Sequence, residues 1–214
     1  MNGRIRRIST ATGLALVLLG SVSCGDLVRQ GKSPSFLVID LLEGASGAQA
    51  SEFGGTLQSD VVTNIQTTDS GGNQVTVPTI FEDLGQVQLR ILLKDQGNPG
   101  ATAGPSALNV ITVNRYHVSY RRSDGRNTPG VDVPYAFDGA VTATITNTPL
   151  QLTFTLVRIQ AKMEAPLRAM QNSGGRIAIS AIADVTFYGR DQAGNATSQT
   201  GSISVTFSDW GDPS

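Results

Sequence analysis

The stretch Ile177–Phe207, IAISAIADVTFYGRDQAGNATSQTGSISVTF, decides the architecture. Ile177, Ile179, Ala181, Ala183, Val185 and Phe187 occupy every second position, with Ser180, Asp184, Thr186 and Arg190 between or beyond them. Ile203, Val205 and Phe207 repeat the scheme beside Ser202, Ser204 and Thr206. A period of two places one set of side chains on each face of an extended strand, so both runs read as half-buried strands. Between them lies Asp191-Gln192-Ala193-Gly194-Asn195. There Gly194 and Asn195 tolerate positive φ, and an Asp side chain can accept from the backbone ahead of it, which makes the segment a hairpin turn.

The same period recurs upstream. Val87, Leu89, Ile91 and Leu93 alternate with Gln86, Gln88, Arg90 and Leu92; Val141, Ala143 and Ile145 alternate with threonines; Leu152, Phe154 and Leu156 alternate with Gln151, Thr153 and Thr155. Weaker runs are Phe36–Leu42, Val61–Gln66, Gln74–Phe81 and Val131–Phe137. Asp69-Ser70-Gly71-Gly72-Asn73, Asp124-Gly125, Asp138-Gly139 and Asn147-Thr148-Pro149 fall between runs as turn signals. The best helical window, Gln160–Met170, contains Pro166 and reads as a loop or a single turn. Many short strands separated by turn signals predict an all-β, antiparallel β-sandwich over residues 35–210. Glu43–Leu57 and Asp95–Ala107, rich in Gly, Ala and Ser, read as long loops or linkers, which leaves 35–57 either linker-like or carrying an early edge strand.

The closing segment Ala183–Asn195, followed by Thr197–Phe207, resembles the final hairpin of bacterial immunoglobulin-like modules and hyalin repeats: an alternating strand, an Asp-x-x-Gly-Asn turn and a last alternating strand. The resemblance implies an immunoglobulin-like sandwich with extra strands and long loops, and a spacer or binding scaffold in place of an enzyme.

The amino terminus reads as an export signal over residues 1–23. Arg4, Arg6 and Arg7 precede an uncharged stretch from Ile8 to Gly20 with the core Leu14-Ala15-Leu16-Val17-Leu18-Leu19, and Ser21-Val22-Ser23 leads to Cys24. Ile8–Gly20 as a helix covers about 20 Å, short of the roughly 30 Å of a bilayer core, so a cleaved signal is expected here. The small residues before Cys24, the sole cysteine, resemble the lipobox of bacterial lipoproteins, with Ser21 where that family usually carries Leu. The resemblance implies lipidation of Cys24 and a palmitate-bearing anchor; cleavage after Ser23 by ordinary signal peptidase is the alternative. Residues 24–34 then form a polar tether and 211–214 a tail. Removing residues 1–23 takes away three arginines and no acids, so sixteen basic residues become thirteen against seventeen acidic, a net of −4. Such a chain is not drawn to anionic lipid by charge, which leaves anchoring to the lipid.

Composition narrows the function classes. The chain has 214 residues, 39% hydrophobic, 15% charged and 6% aromatic, with a formal net charge of −1. That balance carries no signature of nucleic-acid binding. One cysteine excludes an internal disulfide. The single histidine, His117, lies in a strand pattern with Arg115, Ser119 and Arg121, and no G-x-S-x-G elbow is present to supply a nucleophile. One histidine plus carboxylates does not make a structural zinc set, and no EF-hand spacing is present, although the Asp191–Asn195 turn offers oxygens of the kind calcium takes. The expectation is no enzyme, no catalytic residue, no metal and no cofactor. The candidate binding surface is Arg115–Gly130, where Arg115, Arg121, Arg122 and Arg126 accompany Tyr116 and Tyr120; Arg and Tyr are enriched at contact sites. The bland alternative puts the tyrosines in the core and the arginines on a solvated hairpin. Trp210 reads as an edge cap or a stacking residue. The expected role is a lipid-anchored, non-enzymatic cell-envelope protein, held to a membrane on its non-cytoplasmic side, that is structural or contacts another envelope protein or a glycan; the alternative is a secreted or surface carbohydrate-binding module using Tyr116, Tyr120 or Trp210.

Overall fold

The computed structural model describes residues 32–94 and 107–210. The export signal, Cys24, most of the tether, the Asp95–Ser106 part of the second glycine-rich stretch and the 211–214 tail lie outside the described residues. Ten strands follow one another: β1 (Ser35–Ala45), β2 (Thr56–Asp60), β3 (Thr63–Thr68), β4 (Gln74–Thr79), β5 (Asp83–Leu93), β6 (Ile111–Arg121), β7 (Phe137–Ile145), β8 (Leu150–Val157), β9 (Ala178–Asp191) and β10 (Ala196–Ser208). One short helix, α1 (Ile159–Met163), and 3-10 turns at Gly47–Gln49, Ala107–Asn109 and Leu167–Met170 complete the described chain. Among the described residues the architecture is all-β.

The strands form a three-stranded sheet in the order β1-β5-β8, a five-stranded sheet β2-β10-β9-β6-β7 and a separate hairpin β3-β4. Pairing is antiparallel except between β10 and β2, which run parallel from Ser204↔Thr56 to Ser208↔Asp60. The expected purely antiparallel arrangement is corrected at that one edge. Parallel neighbours need a long crossover, and β3 to β9 supply it.

Alternation sets the core. In β5, Val87, Leu89 and Ile91 are buried while Gln86, Gln88 and Arg90 stay half-buried; β9 buries Ile179, Ala181, Ala183, Val185 and Phe187 in the same way. These faces join a single hydrophobic cluster drawn from both sheets. Its aromatic centre crosses from one sheet to the other, with the Phe154 ring of β8 packed edge-on against Tyr116 of β6 at 5.1 Å and Phe187 of β9 at 5.4 Å. Two glycines make room for these rings: a Cβ on Gly85 would meet Phe154, and one on Gly139 would meet Tyr116.

The segment Glu43–Leu57, expected as a loop or linker, is built into the body. Ala45 and Leu57 are buried, and Gly44 and Gly54 exchange backbone hydrogen bonds at 2.9 and 3.0 Å. A linker reading of 35–57 therefore does not hold; β1 is an edge strand paired with β5 over its whole length. Gln160–Met170, expected as a loop or a single turn, spans most of the five-residue α1 and the Leu167–Met170 turn, with Ala161, Lys162, Leu167 and Met170 buried. Val131–Phe137 contributes only a bridge at Val133 before β7 begins at Phe137.

One five-residue turn occurs twice. In Asp69–Asn73 and in Asp191–Asn195, the aspartate Oδ1 accepts from the N–H two and four residues ahead, at 2.8 and 2.8 Å in the first and 3.0 and 2.8 Å in the second. The Asn side chain then donates to Oδ2 of the same aspartate. The glycines before the Asn, Gly72 and Gly194, have φ of +84° and +80°, a region that other residues enter only with strain. The pattern Asp-x-x-Gly-Asn thus encodes a self-satisfied hairpin turn.

Candidate functional site

The structure separates the residues of the Arg115–Gly130 candidate surface. Tyr116 and Tyr120 point inward from β6 and are only 5% and 6% exposed. Their hydroxyls tie the two sheets together: Tyr120 donates to the Leu156 carbonyl at 2.6 Å, and Tyr116 accepts from the Thr155 N–H at 3.3 Å. Both bonds fall where the β5–β8 register shifts, pairing Asp83 with Val157 but Leu84 with Thr155, so that Leu156 is the extra residue. A bulged residue loses its ladder partner, and the tyrosine hydroxyl replaces it. Burial pushes the Tyr120 phenol far above its ordinary value and keeps it a donor. The two tyrosines are therefore core residues, and their expected place on a binding surface is corrected.

The arginines lie outside, each beside an aspartate. Arg115 bonds Asp138 at 3.1 Å and stacks on Tyr188 at 4.1 Å; Arg121 bonds Asp184 at 2.7 Å; Arg122 and Arg126 share Asp124 at 2.6 and 2.8 Å. His117 also sits 3.3 Å from Asp138. The guanidinium groups of Arg122 and Arg126 hold the Asp124 carboxyl far below its usual range. Each arginine has an aspartate partner, Arg122 and Arg126 sharing one, and exposed pairs of this kind contribute little to stability.

At the Asp191–Asn195 turn, the calcium option, both carboxylate oxygens accept hydrogen bonds from the turn itself. Among the described residues, no cluster of three or more His, Cys, Asp or Glu is placed to hold a metal.

The strongest chemical constellation was not visible in the periodicity. Asp83, at the start of β5, and Lys162, on α1, meet inside the protein with Nζ 2.8 Å from Oδ1 and side chains 0% and 1% exposed. The Ser59 hydroxyl donates to Asp83 Oδ2 at 2.5 Å and the Gly47 N–H to Oδ1 at 2.9 Å. Burial pushes the Asp83 carboxyl up, against the pull of Lys162, Ser59 and Gly47. Next along β2, Asp60 accepts from Thr63 at 2.6 Å and from the Trp210 N–H at 2.9 Å, and burial raises it too. Trp210 is held at this end of the body, half-buried, consistent with a cap. Asp83 falls between the weak run Gln74–Phe81 and the alternating run from Gln86, and only the fold brings Lys162 to it.

On the outer side of α1, Tyr135, Met163, Glu164, Arg168 and Gly130 line a surface cleft of about 750 Å³. The β3–β4 hairpin stands apart from both sheets. Apart from Thr63 its side chains stay out of the core, and Ile65 and Val77, paired across it, are 37% and 43% exposed. Comparison with known protein families, curated proteins and solved structures finds no match.

Proposed function

We propose that the protein is a lipid-anchored, non-enzymatic component of a bacterial cell envelope, an immunoglobulin-like β-sandwich with a structural or protein-binding role. The order of parts along the chain carries this reading: three arginines, an apolar run and small residues up to Cys24, then a polar stretch, then a body whose first strand begins at Ser35 and enters the core at Leu37. Two acyl chains or more on one cysteine hold a protein firmly, since each buried methylene contributes about 0.8 kcal/mol. The two facing sheets with one core support the sandwich reading, and the exposed β3–β4 arm is the part of the described surface best shaped to reach another envelope protein. The carbohydrate-binding alternative loses Tyr116 and Tyr120, which are inside, and keeps only Trp210.

Labelling of expressing cells with radioactive palmitate tests the anchor. The wild-type chain takes up label and fractionates with membranes, and Cys24→Ala loses both. Membrane retention without label, or label that survives the substitution, would end this reading.

A further inference from the structure

We propose that Asp83 and Lys162 are joined in the mature protein by a side-chain amide, formed spontaneously after folding. The proposal is independent of the lipid anchor and rests on the geometry of the pair. Nζ lies 2.8 Å from Oδ1, so the carboxyl carbon is one C–O bond beyond the hydrogen bond, and neither side chain reaches water. Burying two opposite charges costs several kcal/mol per ion before their attraction is counted. Moving the proton from Nζ to Oδ1 removes both charges and leaves an amine facing a carboxylic acid, the two reactants of amide formation. Burial favours the protonated acid, as the raised Asp83 carboxyl reflects.

The step balances without a co-reactant. The Nζ lone pair attacks Cγ and forms the N–C bond, and the carbonyl electrons move onto Oδ2, where the Ser59 hydroxyl at 2.5 Å is already placed to stabilise the oxyanion. A second proton passes from nitrogen to Oδ1, the Cγ–Oδ1 bond breaks and water leaves. The product is a neutral amide whose oxygen keeps the Ser59 hydrogen bond. Holding the two groups in contact replaces a bimolecular encounter with an intramolecular one, and the dry pocket keeps water from reversing the step.

The bond would tie β5 to α1 across 79 positions of sequence. A cross-link closing so long a loop restricts the unfolded chain much as a disulfide does. With only Cys24 available, the chain has no disulfide of its own to do this.

Trypsin digestion of the full-length protein, denatured after purification, reads the bond directly. Cleavage cannot occur at an acylated Lys162, so the wild type yields one branched species: Ser33–Arg90 joined to Ile159–Arg168, lighter than the two together by one water. Lys162→Arg, which keeps the positive charge, abolishes it. Recovery from the wild type of Ser33–Arg90 at its full mass with free Ile159–Lys162 would overturn the proposal. This readout does not depend on whether the variant folds or on what happens at Cys24.

Discussion

Tyr120 shows how little a residue's type says about its use. Arg-Tyr-rich sequence from Arg115 to Arg126 suggested a contact surface, yet strand alternation sends Tyr116 and Tyr120 inward and Arg115 and Arg121 outward. The alternation itself was legible in the sequence. What was not legible was the bulge at Leu156, which creates the unpaired carbonyl that Tyr120 satisfies. Tyr120→Phe keeps the ring against Phe207 and removes only that bond, so urea unfolding should show a loss of about 1–2 kcal/mol. A substitution with no cost would mean that the hydroxyl is not the inter-sheet tie. Arg126→Ala, which breaks only a solvent-exposed pair with Asp124, should leave the midpoint where it is. At Gly139 a methyl group would run into the Tyr116 ring; Gly139→Ala should cost about 1–3 kcal/mol by overpacking, measured in the same way.

At the scale of elements, strands and turns were largely readable and connections were not. The five alternating runs became the core of β5, β7, β8, β9 and β10 because their period matches the pleat. The short polar strand β2 has no such run, and its parallel pairing with β10 is set by tertiary packing that no local pattern announces. Lys162 lies in the segment read as a loop or a single turn, and its burial follows from where the chain after β8 folds back. The Asp191–Asn195 turn carries a pH prediction. Burial raises the Asp191 carboxyl, but hydrogen bonds from Asn195, Ser33 and Ala193 outweigh it and hold its pKa below 3.8. A lowered carboxyl stabilises the fold above the unfolded value and loses that contribution as pH falls through the folded one. Asp191→Ala should therefore lower the denaturation midpoint at pH 7, and the gap to wild type should shrink below about pH 3.8; a gap independent of pH would contradict it. For β3–β4, a two-stranded hairpin without a buried face is marginal by itself. Its amides should exchange hydrogen much faster than those of β9, which is paired on both sides. Equal protection would show that the arm is packed against something in solution.

For the whole molecule, two sheets meet over one core while a lipid-bearing terminus precedes the first strand in our reading. Ser33, buried just ahead of β1, helps to hold the Asp191 turn, so the anchor we propose would enter the body at the β9–β10 end. The Asp83–Lys162 cluster, with Ser59 and Asp60, sits beside the far ends of β2 and β10, where Val61 N–H bonds the Ser208 carbonyl. In our reading charge cannot substitute for the lipid, because a chain without residues 1–23 would carry a net of −4 from thirteen basic and seventeen acidic residues. The most direct measurement is the mass of the amino-terminal tryptic peptide from protein extracted out of membranes. We predict Cys24–Arg29 carrying acyl mass on its first residue. The same peptide unmodified, or a chain still beginning at Met1, would contradict the account.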